Sequence, residues 1–133
     1  MYYQYLIKVL LLIGVFNLSP LFAATTLDIA VIGKTKNDSF YIQSYEGCQQ
    51  FAKSVDDLNC LYDGPKDFQD IRSQALIIEN YLKKGVDAFL ISTTNSKFLV
   101  NRVLKQAKDA GVPVITFDSD LLLEDKAFRL AYV

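Results

Sequence analysis

The 133-residue chain contains no histidine. That absence removes serine–histidine and cysteine–histidine nucleophile pairs and every histidine-ligated metal site together. No serine has a lysine three residues later, and no Gly-x-Gly-x-x-Gly occurs. Gly33-Lys34-Thr35 resembles the end of a phosphate loop, but Asp28 stands where that loop needs glycine. Asp63, Asp67 and Asp70 lack the spacing of a calcium loop. A phospho-receiver domain needs an aspartate at the end of its third strand, where this chain has Ile91-Ser92. The composition therefore points away from catalysis and calls for no cofactor and no metal. Long runs of positive charge are also missing: none exceeds Lys83-Lys84, and 14 basic residues face 15 acidic ones. Nucleic acid is excluded as a partner on that ground.

The N-terminus is apolar and nearly uncharged. Val9 to Leu18 is a hydrophobic run, Ser19-Pro20 breaks it, and the small pair Ala23-Ala24 follows. This layout predicts a secretory signal peptide over residues 1–24, cleaved after Ala23 or Ala24. The run is shorter than the roughly 20 residues that span a bilayer. No cysteine adjoins the cleavage site, so a soluble periplasmic protein is expected rather than a lipid-anchored one. Removing the leader takes away Lys8, its only charge, and moves the net charge from −1 to −2. Export would place Cys48 and Cys60, the two cysteines, in an oxidising compartment. Their spacing leaves two readings open, a disulfide between a helix and the next strand, or two buried thiols.

From residue 25 onward, short apolar runs alternate with segments of helical period. The runs Leu27–Ile32, Leu58–Tyr62, Val86–Ile91 and Val112–Phe117 suit strands covered on both faces, and Phe128–Val133 looks like the start of a fifth. A helix over about Phe40–Ser54 is expected to turn Ile42, Tyr45, Cys48, Ala52 and Val55 inward. A second, capped by Asp67 and ended by Gly85, buries Phe68, Ile71, Ala75, Ile78 and Leu82. A third, over Ser96–Ala110, buries Leu99, Val103, Leu104 and Ala107. Alternating β and α implies an α/β fold: a doubly wound parallel sheet with helices on both faces, a three-layer α/β/α arrangement. Such sheets take ligands in the crevice beyond the carboxyl ends of their strands.

Polar residues cluster at those ends. Gly33 to Asp38 precedes the aromatics Phe40 and Tyr41; Asp63-Gly64-Pro65, Ser92-Thr93-Thr94-Asn95 and Asp118-Ser119-Asp120 follow the other strands. A carboxylate accepts charge-assisted hydrogen bonds from neighbouring hydroxyls, and an aromatic ring covers the C–H face of a sugar. Each cluster taken alone equally fits ordinary turn and capping chemistry. Together they mark a crevice suited to a polyhydroxylated small molecule.

The segments LDIAVIGKTKNDSFYIQSYEGCQQFAKSV, GVDAFLIS, AGVPVITFDSD and RLAYV, in this order from Leu27 to Val133, resemble the type I periplasmic binding proteins of the ribose and galactose kind. The resemblance implies two α/β lobes that trap a sugar or related polyol between them and hand it to the membrane permease of an ABC importer. It implies ligand contacts at Asp38, Phe40, Tyr41 and Asp118, with Ser119 and Asp120 beside them. Ser119 stands where ribose-type members carry arginine, which puts ribose itself in doubt. Residues 25–133 would form the N-terminal lobe alone, with the second lobe absent, whereas full-length members are expected as monomers. Two rival readings follow: a sensory partner of a membrane receptor kinase, which the same fold serves, or a non-functional fragment of a split gene. A leader in place of a DNA-reading headpiece disfavours a repressor.

Overall fold

The computed structural model describes residues 25–133. The expected signal peptide, 1–24, lies outside the described residues. β1 (Leu27–Ile32), α1 (Ser39–Ala52), β2 (Leu58–Asp63), α2 (Ile71–Lys83) and β3 (Ala88–Ile91) alternate strictly. A third helical rod follows as α3 (Ser96–Leu99), a π-helical stretch (Val100–Leu104) and α4 (Lys105–Asp109). β4 (Val114–Thr116), a 3-10 helix (Leu123–Phe128) and β5 (Ala131–Tyr132) complete the chain. The five strands lie in the order β2-β1-β3-β4-β5, every pair parallel.

Alternation along each strand divides the sheet into two unequal faces. Ala30, Ile32, Phe89, Ile91 and Val114 point to one side, where Ala75 and Ile78 of α2 and Leu99, Val103, Leu104 and Ala107 of the third rod meet them in a single buried cluster. The helical stripes read from the sequence supply this core. The opposite face carries Val31, Leu90, Ile115 and Phe117, and with Ser44 of α1 and Val133 they line an apolar hollow of about 250 Å³. No residue of α1 enters the main cluster. Its only buried residue is Tyr41, and Ile42 and Val55, expected inside, are exposed.

Two further expectations shift. Asp70, not Asp67, caps α2, its carboxylate accepting the Ser73 N–H at 2.9 Å. The stretch before it is a loop, so Phe68 leaves the helical stripe and is half exposed. The strands after the second are shorter than the apolar runs. Val86 and Val112 serve instead in the helix-to-strand turns after Gly85 and Gly111, both at positive φ. A left-handed residue there lets the last helical carbonyls find donors, and glycine adopts it without a Cβ clash.

Cys48 of α1 and Cys60 of β2 form a disulfide, their Cα atoms 6.1 Å apart. It ties the helix with the weakest apolar contact to the outermost strand. Closing a loop of 12 residues' separation restricts the unfolded chain by an amount worth about 3 kcal/mol. Reduction should therefore move the urea midpoint to lower denaturant by that free energy. Equal midpoints with and without dithiothreitol would show that α1 holds without the bond.

Candidate functional site

Because the strands run in one direction, the loops leaving β1, β3 and β4 emerge side by side at the carboxyl edge. The β1 loop ends at Asp38, which caps α1 by accepting the Phe40 N–H on Oδ1 at 2.8 Å. The β4 loop turns abruptly at Asp118, whose φ is 58°. The turn closes with the Ser119 N–H on the Phe117 carbonyl at 2.6 Å. Aspartate tolerates this left-handed conformation better than most side chains, and such backbone outliers gather at functional sites.

The turn presents the Asp118 carboxylate to three donors. Its Oδ2 accepts from the Ser92 hydroxyl at 2.7 Å and the Tyr41 hydroxyl at 3.1 Å, and the Lys34 ammonium lies 3.5 Å away. Lys34 also donates to Ser119 Oγ. Burial pushes the Asp118 carboxyl up, but the hydrogen bonds from Ser92 and Tyr41 and the Lys34 charge together hold it below the usual aspartate range. Burial likewise raises the Tyr41 hydroxyl; Ser92 opposes the rise, and the charges of Asp118 and Asp38 add to it. Both carboxylates thus act on one phenol. Among the described residues, no group donates to Asp118 Oδ1.

The expected aromatic pair divides its work. Phe40 is 50% exposed and its ring lies stacked 6.5 Å from Phe117, with Tyr41 edge-on at 5.2 Å. Tyr41 is 4% exposed and packs over Gly33, where an added Cβ would lie 2.8 Å from its ring. Phe40 therefore offers a surface, while Tyr41 supports the carboxylate from beneath. Asp120 departs from the sequence expectation. Arg129 grips it with Nε on Oδ1 at 2.6 Å and Nη2 on Oδ2 at 2.7 Å, and Thr116 Oγ1 and the Leu121 N–H add to Oδ1. A carboxylate so occupied anchors the segment before β5 and has little left for a ligand. Ser119 stays at the rim, facing Lys34.

Lys34, Ser92 and Phe117 belong to the site although none was singled out as a ligand contact from sequence. The signal was positional. Each lies one or two residues beyond a strand's last residue, and no local pattern distinguishes a lysine or serine there from turn chemistry. The assembled rim joins an ionised carboxylate with one open oxygen, an ammonium, two hydroxyls and an exposed aromatic ring. That set hydrogen-bonds neighbouring hydroxyls and covers an apolar ring face.

Comparison with known proteins bears on the family and the fold. Residues 29–133 match the family described as periplasmic binding protein domain. A D-ribose/D-allose-binding protein of Pseudomonas aeruginosa is 35% identical over 92 residues, covering 68% of this chain and 28% of that protein. An Agrobacterium vitis ABC transporter solute-binding protein with bound D-fucose superimposes with a TM-score of 0.74 at 28% identity, over 79% of this chain and 36% of that one. A second from the same organism, bound with α-D-tagatopyranose, gives a TM-score of 0.72 at 31% identity, over 80% of this chain and 37% of its own. The chain thus spans about a third of the length of the relatives it matches. On fold, coverage and identity alike, it belongs to the periplasmic binding protein family.

Proposed function

We propose that residues 25–133 form one wall of a sugar site in a periplasmic solute-binding protein that delivers its ligand to an ABC importer. The observation that carries this reading is the Asp118 carboxylate, held ionised by Ser92, Tyr41 and Lys34 with one oxygen open beside the exposed Phe40 ring. Asp118 Oδ1 accepts a ligand hydroxyl, the Lys34 ammonium donates to a second oxygen, and Phe40 covers the ring's C–H face. Asp38 stands at the same rim with one oxygen committed to its cap. Membership of the family, and the sugars named for its relatives, supports a monosaccharide as the ligand class and a permease as the partner.

Amide NMR spectra titrated with D-ribose, D-allose, D-fucose and D-tagatose test the reading. Saturable shifts at Lys34, Phe40 and Asp118 are expected for at least one sugar. No shift at any of these residues with all four would overturn it. Asp118→Asn keeps the shape but removes the charge, and should weaken that sugar by about tenfold to a hundredfold, the range for a hydrogen bond to a charged group. Lys34→Met should weaken it as well; unchanged affinity in both variants would move the site elsewhere.

The pH dependence follows from the same carboxylate. The competent form is ionised, and its pKa lies below the ordinary aspartate value, which is about 3.9. Affinity should stay level from about pH 7 to pH 5 and fall only as acidity passes through that lowered value. A loss of binding between pH 7 and 5 would assign control to another group.

A further inference from the structure

Gln74 is fully buried, although it lies in the first turn of an otherwise amphipathic helix. A buried amide costs free energy unless its donors and acceptor are used. Here all are used, on three residues of two loops. Nε2 donates to the Gly33 carbonyl at 3.0 Å and to the Ser92 carbonyl at 2.8 Å. Oε1 accepts the Thr94 N–H at 3.0 Å and the Thr94 hydroxyl at 2.7 Å. Gly33 and Ser92 are the first residues beyond β1 and β3, and the strands themselves close with the Ser92 N–H on the Ile32 carbonyl at 3.0 Å.

One side chain therefore pins the two loop roots from which the donors to Asp118 arise. Lys34 follows Gly33 directly, and Ser92 both receives the amide through its carbonyl and donates its hydroxyl to Asp118. The Tyr41 ring rests against Gly33, so the third donor leans on the same root. The β3 loop has no helix of its own before Ser96, and Thr94 is held there through Gln74.

We infer that Gln74 is a positioning residue: from beneath the sheet edge, its amide sets where Lys34, Ser92 and Tyr41 stand around the Asp118 carboxylate. It touches no ligand. The inference rests on the sugar-site reading for its meaning in binding, but the geometry it asserts can be measured with no ligand present.

Gln74→Met preserves length and apolar volume while deleting all four hydrogen bonds, and Thr94→Val removes one of them at a milder cost to folding. Ile78→Val, one turn further along α2 in the main core, is the control for lost stability alone. The carboxyl carbon of Asp118 is titrated by NMR in the ligand-free parent and the three variants. In Gln74→Met the midpoint is expected to rise toward about 3.9, the unperturbed value. Thr94→Val should shift it the same way by less, and Ile78→Val should leave it where the parent has it. Sugar affinity of the folded Gln74→Met protein should fall by about tenfold, since the carbonyls of Gly33 and Ser92 lose their buried donor and the rim relaxes.

An Asp118 midpoint unchanged in Gln74→Met would overturn the inference. Should that variant not fold, an unchanged midpoint in Thr94→Val would overturn it equally. A midpoint that rises equally in Ile78→Val would also overturn it, because the effect would then be general loosening. If the midpoint rises as expected but the parent binds none of the four sugars, Gln74 still positions the carboxylate's donors, and the sugar reading is what fails.

Discussion

Parallel pairing of β1, β3 and β4 is the constraint on which the site depends. In a parallel ladder every strand ends on the same side, so residues far apart in sequence leave the sheet as neighbours. Ile32 lies opposite Ile91, and Ile91 opposite Thr116. The next residues out, Gly33 and Lys34, Ser92, then Phe117 and Asp118, are therefore delivered to one rim. A slip of one residue in either register would turn the buried set Ile32, Phe89, Ile91 and Val114 outward. The tight core on that face thus protects the alignment of the rim as well as the stability of the fold.

The rim places its charges at a partly exposed sheet edge. Asp118 is kept ionised by two hydroxyls and an ammonium rather than by an arginine fork, which leaves one oxygen uncommitted. Two residues along the same turn, Asp120 shows the opposite solution. Arg129 occupies both of its oxygens, and the carboxylate becomes part of the scaffold. The same side-chain chemistry leaves an oxygen unbonded in one case and anchors a segment in the other, and partner geometry makes the difference.

The two faces of the sheet differ in how they hold their helices. α2 and the third rod are secured by a continuous apolar cluster, whereas α1 brings Tyr41, little other buried surface and a disulfide. α1 also carries Phe40 and Tyr41, just after its Asp38 cap, to the rim. The helix that starts at the rim is thus fixed at its start by the Asp38 cap and the Tyr41 hydroxyl, and further along by the Cys48–Cys60 bond. Hydrophobic burial does the work elsewhere.

Strand and helix positions were legible because they obey the backbone's own periods. Apolar runs marked all five strands, and three- and four-residue steps marked the buried stripes of α2 and the third rod. α1 was misread at Ile42 and Val55 because only part of one sheet face covers it, so its period records no full burial. Asp38, Asp118 and the aromatic pair could be marked from residue type at strand ends. Which of them would face a ligand, and which would be consumed, was not written locally. Asp118 meets Ser92 across 26 residues and Tyr41 across 77, while Gln74 reaches Gly33 across 41. Amino-acid order by itself determined the α/β alternation and the chemistry available at the sheet edge. Only the tertiary structure decided that Asp118 keeps an unbonded oxygen, that Arg129 grips Asp120 and that Gln74 is buried at the loop roots, because hydrogen-bond partners are chosen by distance in space, which strand register sets and local periodicity does not encode.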